Sequence, residues 1–390
     1  MRHGTLLLLL LVPSLAACSK TGGDGEIPLP ENPPAVPLDG VARLLSSLPI
    51  GPSQMNEVAD AVNSSSGNGY DEEYTMQQLF DSPGAGVGDE VSSKAPGSYE
   101  TPLRDMIRAA VRSSTKAGGE NYGDPEEYLA ALSSSDLQIY WPYSGQWDGK
   151  TAPVISFDPG DGRDVNTGYV LGADGAVQEL LVDEQMARSR PVWVVNRNSD
   201  AGYTSLEMLR RQDPSWGSGG GEIVVRPMGT SSPEVKTLLA KTLVVNRQLD
   251  SWFCGGAEMV FRMGSVEDFT ASTEAELKLY SPSVTHFMVV VQRSQVGIAQ
   301  PLNAVLVSEW TKGLDRCAFM LVEEDGGTQT KWKCSAVVKW NSKSYGYDMD
   351  IPLNVRDDIV WRGQLTRNYF EKNSGKYTSF GDVGVVFEFT

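Results

Sequence analysis

The stretch from about residue 243 to the C-terminus limits most strongly what this chain can fold into. "AEMVFRM", "VTHFMVVVQ", "NAVLVSEW", "CAFMLVEE", "TKWKCSAVVKW", "DIVWRGQL" and "VGVVFEF" follow one another with no helical run between them. Each is short and rich in β-branched and aromatic residues, which suit a pleated, half-buried surface. In the last, Val383, Val385, Phe387 and Phe389 alternate with Gly384, Val386 and Glu388, as in a strand with one better-buried face. Parallel neighbours need crossovers of a dozen or more residues, usually helical, so this series implies antiparallel pairing. The expected fold class is mainly β with an N-terminal α region, residues 243–390 forming an antiparallel β-sandwich.

Residues 38–134 read as a small helical region. Leu38, Val41, Leu44, Leu45 and Leu48 share a helix face, as do Met55, Val58, Ala59 and Val62. Thr101-Pro102 and Asp124-Pro125 are start signals, a capping side chain followed by proline at the first helical position. The Gly- and Ser-rich "NSSSGNG" and "SPGAGVG" read as loops between short helices. At Leu137 the texture changes: "LQIYWP", "APVISFD", "TGYVLG", "AVQELLVD" and "RPVWVVNR" make residues 135–215 a small β-domain. "SWGSGGGE" opens a linker spanning 216–242.

The N-terminus points to a compartment. Arg2, the apolar run Leu6 to Val12 and Leu15-Ala16-Ala17-Cys18 have the order of a bacterial lipoprotein leader cut before Cys18. Residues 1–17 would be removed, Cys18 would carry the lipid (palmitate among its acyl chains), and the Gly/Pro-rich 18–37 would be a tether. Ser19 after that cysteine fits an outer-membrane address. The formal charge is −17, and loss of a leader holding Arg2 and no acid makes it −18. Such a surface repels phosphate backbones, so nucleic acid is not an expected partner. The membrane is expected through the lipid, with envelope proteins or glycans as further partners.

Chemistry-bearing motifs are few. Of two histidines, His3 leaves with the leader; His286 lies in a strand run with nothing beside it to complete a site. "GQWDGKT" is one residue short of a phosphate-binding loop and a strand follows it. Tyr140, Trp141, Tyr143 and Trp147 cluster as a possible glycan platform, against the alternative that they fill a core. Asp158, Asp161 and Asp164 of "DPGDGRD" read as an Asp/Gly turn, lacking the alternate acids and distant glutamate of a calcium-binding loop.

"DRCAFMLVEEDGGTQTKWKC" sets Cys317 and Cys334 around an acidic turn. A two-residue turn at Asp325-Gly326 would place the two cysteines opposite each other at a non-hydrogen-bonded position, suited to a cross-strand disulfide. Centring the turn one residue on would misalign them, and a bridge from Cys254 to either remains open. Glu323, Glu324 and Asp325, with Asp357 and Asp358 (and Asp348 and Asp350), could gather calcium at one end of the sandwich; solvated loop acids are the plainer reading.

"GYDEEY", "LQIYWP…WDGKTAPVISFDP", "RPVWVVNRN", "LDSWFCGGAEMVF" and "CAFMLVEEDGG", in that order from Gly69 to Gly327, resemble a family of secreted bacterial proteins and lipoproteins common in Bacteroidota, known as a domain of unknown function. The resemblance implies a small helical region followed by β-rich segments, and supplies no catalytic residues. "FMLVEEDGG" and "RDDIVWRGQL" are loosely similar to the acidic loops of C2-type sandwiches, although Trp361-Arg362-Gly363 interrupts the second. The expected function is a non-enzymatic, lipid-anchored envelope protein that presents β-domains for binding or assembly. A carboxylate- or metal-dependent hydrolase and a glycan-binding protein are the alternatives.

Overall fold

The computed structural model describes residues 36–81, 99–117, 122–200, 202–214 and 235–390. The expected leader, Cys18, nearly all of the tether and most of the linker lie outside the described residues.

Among the described residues, five helices come first, with one short strand between them. α1 (Leu38–Ser46) buries the expected stripe of Val41, Leu44 and Leu45. α2 (Pro52–Gly67) starts on Pro52 and runs through the Ser-rich stretch expected to be a loop. Ser65 is buried and donates to Glu73 Oε1 at 3.4 Å, a tertiary contact that outweighs weak local preference. β1 (Glu73–Thr75) and α3 (Met76–Phe80) follow, with Thr75 Oγ1 accepting from the Gln78 N–H. α4 (Leu103–Ala117) takes its N-terminal acceptor from α2: Glu57 Oε2 receives the Leu103 N–H at 2.7 Å. α5 (Pro125–Ser133) begins as expected, with the Asp124 carboxylate accepting from Glu126 and Glu127 N–H.

A six-stranded sheet follows in the order β1-β2-β6-β3-β4-β5. Its members are β2 (Leu137–Tyr140), β3 (Val154–Phe157), β4 (Val165–Leu171), β5 (Val177–Asp183) and, after the short α6 (Glu184–Ala187), β6 (Val192–Arg197). β3 and β6 pair in parallel and the other neighbours antiparallel. The helices bury their stripes on one face of this sheet: Leu45, Val58, Leu79 and Ile107 share a core with Ile139, Trp141, Trp193 and Val195. The helical region and the small β-domain are therefore one layered body. On the opposite face Tyr140, Val154, Val192 and Val194 pack with Trp252 and Phe253, which arrive from the C-terminal half.

α7 (Leu206–Gln212) leads toward the sandwich. β7 (Lys236–Val245) begins inside the expected linker and runs across its boundary at residue 242 into the expected sandwich. The remaining elements are β8 (Ala257–Ser265), β9 (Ser283–Val291), β10 (Gln300–Trp310), β11 (Leu314–Glu323), β12 (Gln329–Trp340), β13 (Lys343–Asn354), β14 (Asp358–Thr366), α8 (Arg367–Asn373), β15 (Tyr377–Phe380) and β16 (Val383–Phe389). One sheet is ordered β10-β7-β16-β15 and the other β13-β12-β11-β8-β9, with β14 also on β11. All their pairings are antiparallel, the arrangement of a β-sandwich. Phe261, Trp310, Phe319, Phe370, Phe387 and Val385 fill the space between the sheets.

β11 is buried on both faces, because Cys317, Phe319 and Leu321 join that core while Ala318, Met320 and Val322 pack on the other side with Val260 and Ile351. This corrects the expected hairpin. β8 pairs with β11 from Ala318 to Glu323, and β14 lies along the opposite edge from Arg316 to Glu323. β12 meets β11 only at Leu314 and Arg316. Instead it pairs with β13 along its whole length, around a two-residue turn at Asn341-Ser342 with φ of 47° and 64°. Cys317 therefore faces Leu365 and Cys334 faces Met349. The two thiols belong to opposite faces of the sheet and both are free, as is Cys254. The disulfide expectation failed because two other strands hold both edges of β11 where β12 would have run back.

Candidate metal centre

The four candidate glycan-platform residues come together, but in two cores rather than on a surface. Trp141 is 1 % exposed and packs against Trp193 and Trp147 on the helical face of the first sheet. Tyr140 and Tyr143 belong to the opposite face, where the Tyr143 hydroxyl donates to Glu184 at 2.6 Å. Trp147 donates its Nε1–H to the Thr151 carbonyl, and the cavity beside these rings holds about 80 Å³. That is far below the few hundred Å³ of an ordinary ligand site. His286 is an exposed β9 residue on the wall of a larger cavity, about 590 Å³, that it shares with Tyr203 and Arg262. Asp158 and Asp161 accept N–H groups of their own turn.

The acids sort differently. A band of buried carboxylates follows the seam where the first body meets the sandwich. Asp71, Glu72 and Glu73 enter it from "GYDEEY", Asp200 from the end of the first body, and Glu258, Glu323, Glu324 and Asp357 from the sandwich; each is at most 8 % exposed. Several are tied by hydrogen bonds that span the seam or brace it. Asp71 Oδ2 accepts the Gly256 N–H at 2.9 Å. Glu72 accepts Ser144 Oγ at 3.0 Å on one oxygen and the Tyr143 N–H at 3.3 Å on the other. Arg293 pairs with Glu184 at 2.9 Å and donates to the carbonyls of Asp250 and Gly255. Burial, with the neighbouring Asp71 charge, pushes the Glu72 carboxyl up to about 7. Burial and Asp71 do the same for Asp200, also to about 7.

The five candidate calcium ligands divide between two nests. Glu324 accepts the Gly326 N–H and the Asn354 side-chain N–H. Asp357 accepts the Asn354 N–H at 2.8 Å and faces Arg262 Nη1 at 3.7 Å. One oxygen of each of these two acids is thus already supplied with donors. Glu323 and Asp325 turn instead toward Asp250, and one carboxylate oxygen from each of the three lies within 4.8 Å of the others. Asp358 faces Glu323 across the β11–β14 ladder, and its charge acts on Asp325. Burial, then the Glu258 charge and a hydrogen bond shared with the Asp250 carboxyl, push the Glu323 carboxyl up to about 12. Burial, Asp250 and Asp358 raise Asp325 to about 7. A concentration of carboxylate oxygens at this spacing is the donor set that hard cations take.

Asp250 and Glu258 were not singled out from the sequence, although both fall in "LDSWFCGGAEMVF". The available signal was Glu258 inside an apolar strand run and Glu323 at the end of another, where charge is not expected. Asp250 joins them only through the fold: Trp252 and Phe253 are drawn into the first sheet, Trp252 Nε1–H donates to the Asp164 carbonyl, and the loop is pinned by Arg293. Among the described residues no helix is long and apolar enough to cross a membrane. In comparisons with known proteins, no family model, no curated protein and no solved structure matches this chain.

Proposed function

We propose that this chain is a lipid-anchored protein of the cell envelope that acts by binding or assembly rather than by catalysis. The observation that supports this reading best is the open edge of β13. This strand is 12 residues long, ends its sheet and pairs only with β12 among the described residues. Counted from the Asn341-Ser342 turn, Lys343 faces Trp340 in a hydrogen-bonded pair, so Ser344, Gly346, Asp348 and Asp350 direct their N–H and C=O outward. Pro352, which has no N–H to offer, falls in the same series. An unpaired ladder of this kind accepts an extended segment of another chain. The seam acids fit a non-catalytic role too, since Asp71, Glu72 and Asp357 accept backbone N–H groups of the fold itself.

A photo-crosslinking residue in place of Asp348 should give a discrete adduct with an envelope protein. Gly346→Pro, which removes an outward N–H, should lose that adduct partner without a change in melting temperature. Turnover of ester, peptide or glycan substrates that disappears in Glu323→Gln would instead favour the hydrolase reading. The anchor is tested separately: Cys18→Ser should lose both incorporation of a palmitate analogue and recovery with membranes.

A further inference from the structure

We propose that Asp250, Glu323 and Asp325 bind one hard divalent cation of calcium's size, which clamps the Asp250 loop to the end of β11. The geometry points there first. Oxygens bound about 2.4 Å from a shared ion lie at most about 4.8 Å apart, and these three carboxylates meet that spacing. All three donors are carboxylate oxygens, a set that selects calcium or magnesium over zinc or copper, and a site built from protein carboxylates alone suits calcium, since magnesium dehydrates reluctantly and is seldom held in an all-protein cage.

The second observation is Glu323 itself. Its residue is 0 % exposed, and neither side-chain oxygen receives a donor from the fold; the one group it shares a hydrogen bond with is the Asp250 carboxyl, another member of the cluster. Buried polar groups are almost always satisfied, and a buried carboxyl that meets no donor from the fold and faces only other acids is satisfied by a cation. None of the three acids makes an ion pair with Lys or Arg among the described residues, and Arg356 acts on Asp325 only at a distance. Glu258 adds a further charge from β8. A divalent ion would neutralise the repulsion that this arrangement otherwise carries.

The site also has a mechanical consequence. Asp250 belongs to the loop whose Trp252 and Phe253 fill the far face of the first sheet. Glu323 and Asp325 belong to the end of the central strand of the sandwich. An ion bridging them ties the inserted loop, and through it the first body, to the sandwich core. Asp250 and Asp325 are only half-buried, and an open cavity lined by Leu249 and Asp358 lies alongside, giving solvent a way in.

The test uses the purified full-length chain, stripped with chelator and titrated with calcium chloride by calorimetry and by thermal melting. One calcium should bind per chain, and calcium at about 100-fold over Kd should raise Tm by about 4 °C for a chain of this size. Glu323→Gln and Asp325→Asn should each abolish the heat of binding and the shift; the half-exposed Asp325 guards against a core variant that fails to fold. No heat and no shift in the wild type would overturn the proposal. So would a calcium response that survives in both variants, because the ion would then sit elsewhere.

Discussion

Glu72→Gln should change the sign of its effect on stability between acidic and alkaline pH. Glu72 is 8 % exposed and sits between Asp71 and the Tyr143-Ser144 turn. Burial and the Asp71 charge raise its carboxyl from 4.5 to about 7. The native state therefore holds this proton more tightly than the unfolded chain does. Between pH 4.5 and 7 the native state binds more protons, so stability falls as pH rises through that window and is fully retained below it. A shift of this size corresponds to about 3 kcal/mol lost by pH 8. Glutamine removes the ionisation, keeps one oxygen as acceptor for Ser144, and cannot accept the Tyr143 N–H with its amide nitrogen. That lost hydrogen bond, 3.3 Å in the wild type, costs about 1 kcal/mol at every pH.

The variant should thus be less stable than wild type by about 1 kcal/mol at pH 4.5 and more stable by about 2 kcal/mol at pH 8. Urea unfolding followed by tryptophan fluorescence reads both differences, and comparing two proteins at each pH cancels the other acids that titrate nearby. Asp200, raised in the same direction to about 7, contributes equally to both. A variant that is destabilised by the same amount at pH 4.5 and 8 would refute the reasoning, since it would mean that Glu72 is ionised throughout and stabilising.

Trp252→Ala removes a fully buried indole from the far face of the first sheet together with its bond to the Asp164 carbonyl, and should lower stability by about 3–5 kcal/mol by urea titration; a loss under 1 kcal/mol would mean the loop does not dock there. Peptide mapping without reductant should recover Cys317 and Cys334 as separate free thiols, whereas a linked peptide would show that β12 runs back along β11.

The strands of the sandwich were legible wherever a run was apolar on both faces or alternated cleanly. β8, β9, β10, β11, β12, β14 and β16 all fall on runs recognised by pattern alone. β13 was missed although Tyr345, Tyr347, Met349, Ile351 and Leu353 alternate through it; the intervening Gly346, Asp348, Asp350 and Pro352 are outward positions that imitate a loop. Most of β7 was read as linker because its inner residues, Leu238, Ala240, Leu243 and Val245, are spaced irregularly around a register shift. The disulfide expectation rested on a local turn signal at Asp325-Gly326. Gly326 and Gly327 do both take positive φ, but the competition of β8 and β14 for the edges of β11 is a non-local fact that no turn motif reports. The acids of the site were half legible for the same reason. Glu323 and Asp325 stand beside each other in sequence, while Asp250 reaches them across more than 70 residues by way of a docked tryptophan.

The seam explains why so many carboxylates are tolerated inside one fold. An isolated buried charge is strongly unfavourable, yet several of these acids have separate means of relief. Asp71 accepts two backbone N–H groups, Asp357 faces Arg262, and Glu72 keeps its proton up to about 7. Glu323, which receives no donor from the fold and meets only the Asp250 carboxyl, is the member left for a cation. Protons and a cation then act on different members of the band, since the strongest charge on Glu72 is Asp71 rather than any of the three proposed ligands. Two perturbations that work through separate groups add, whereas perturbations of one network do not. The stability difference between Glu72→Gln and wild type at pH 8 should accordingly be the same in calcium and in chelator, within about 0.5 kcal/mol. A difference that collapses when calcium is removed would show instead that the carboxylates of the seam behave as one coupled unit, and that the proton at Glu72 and the ion at Glu323 compete for the same relief.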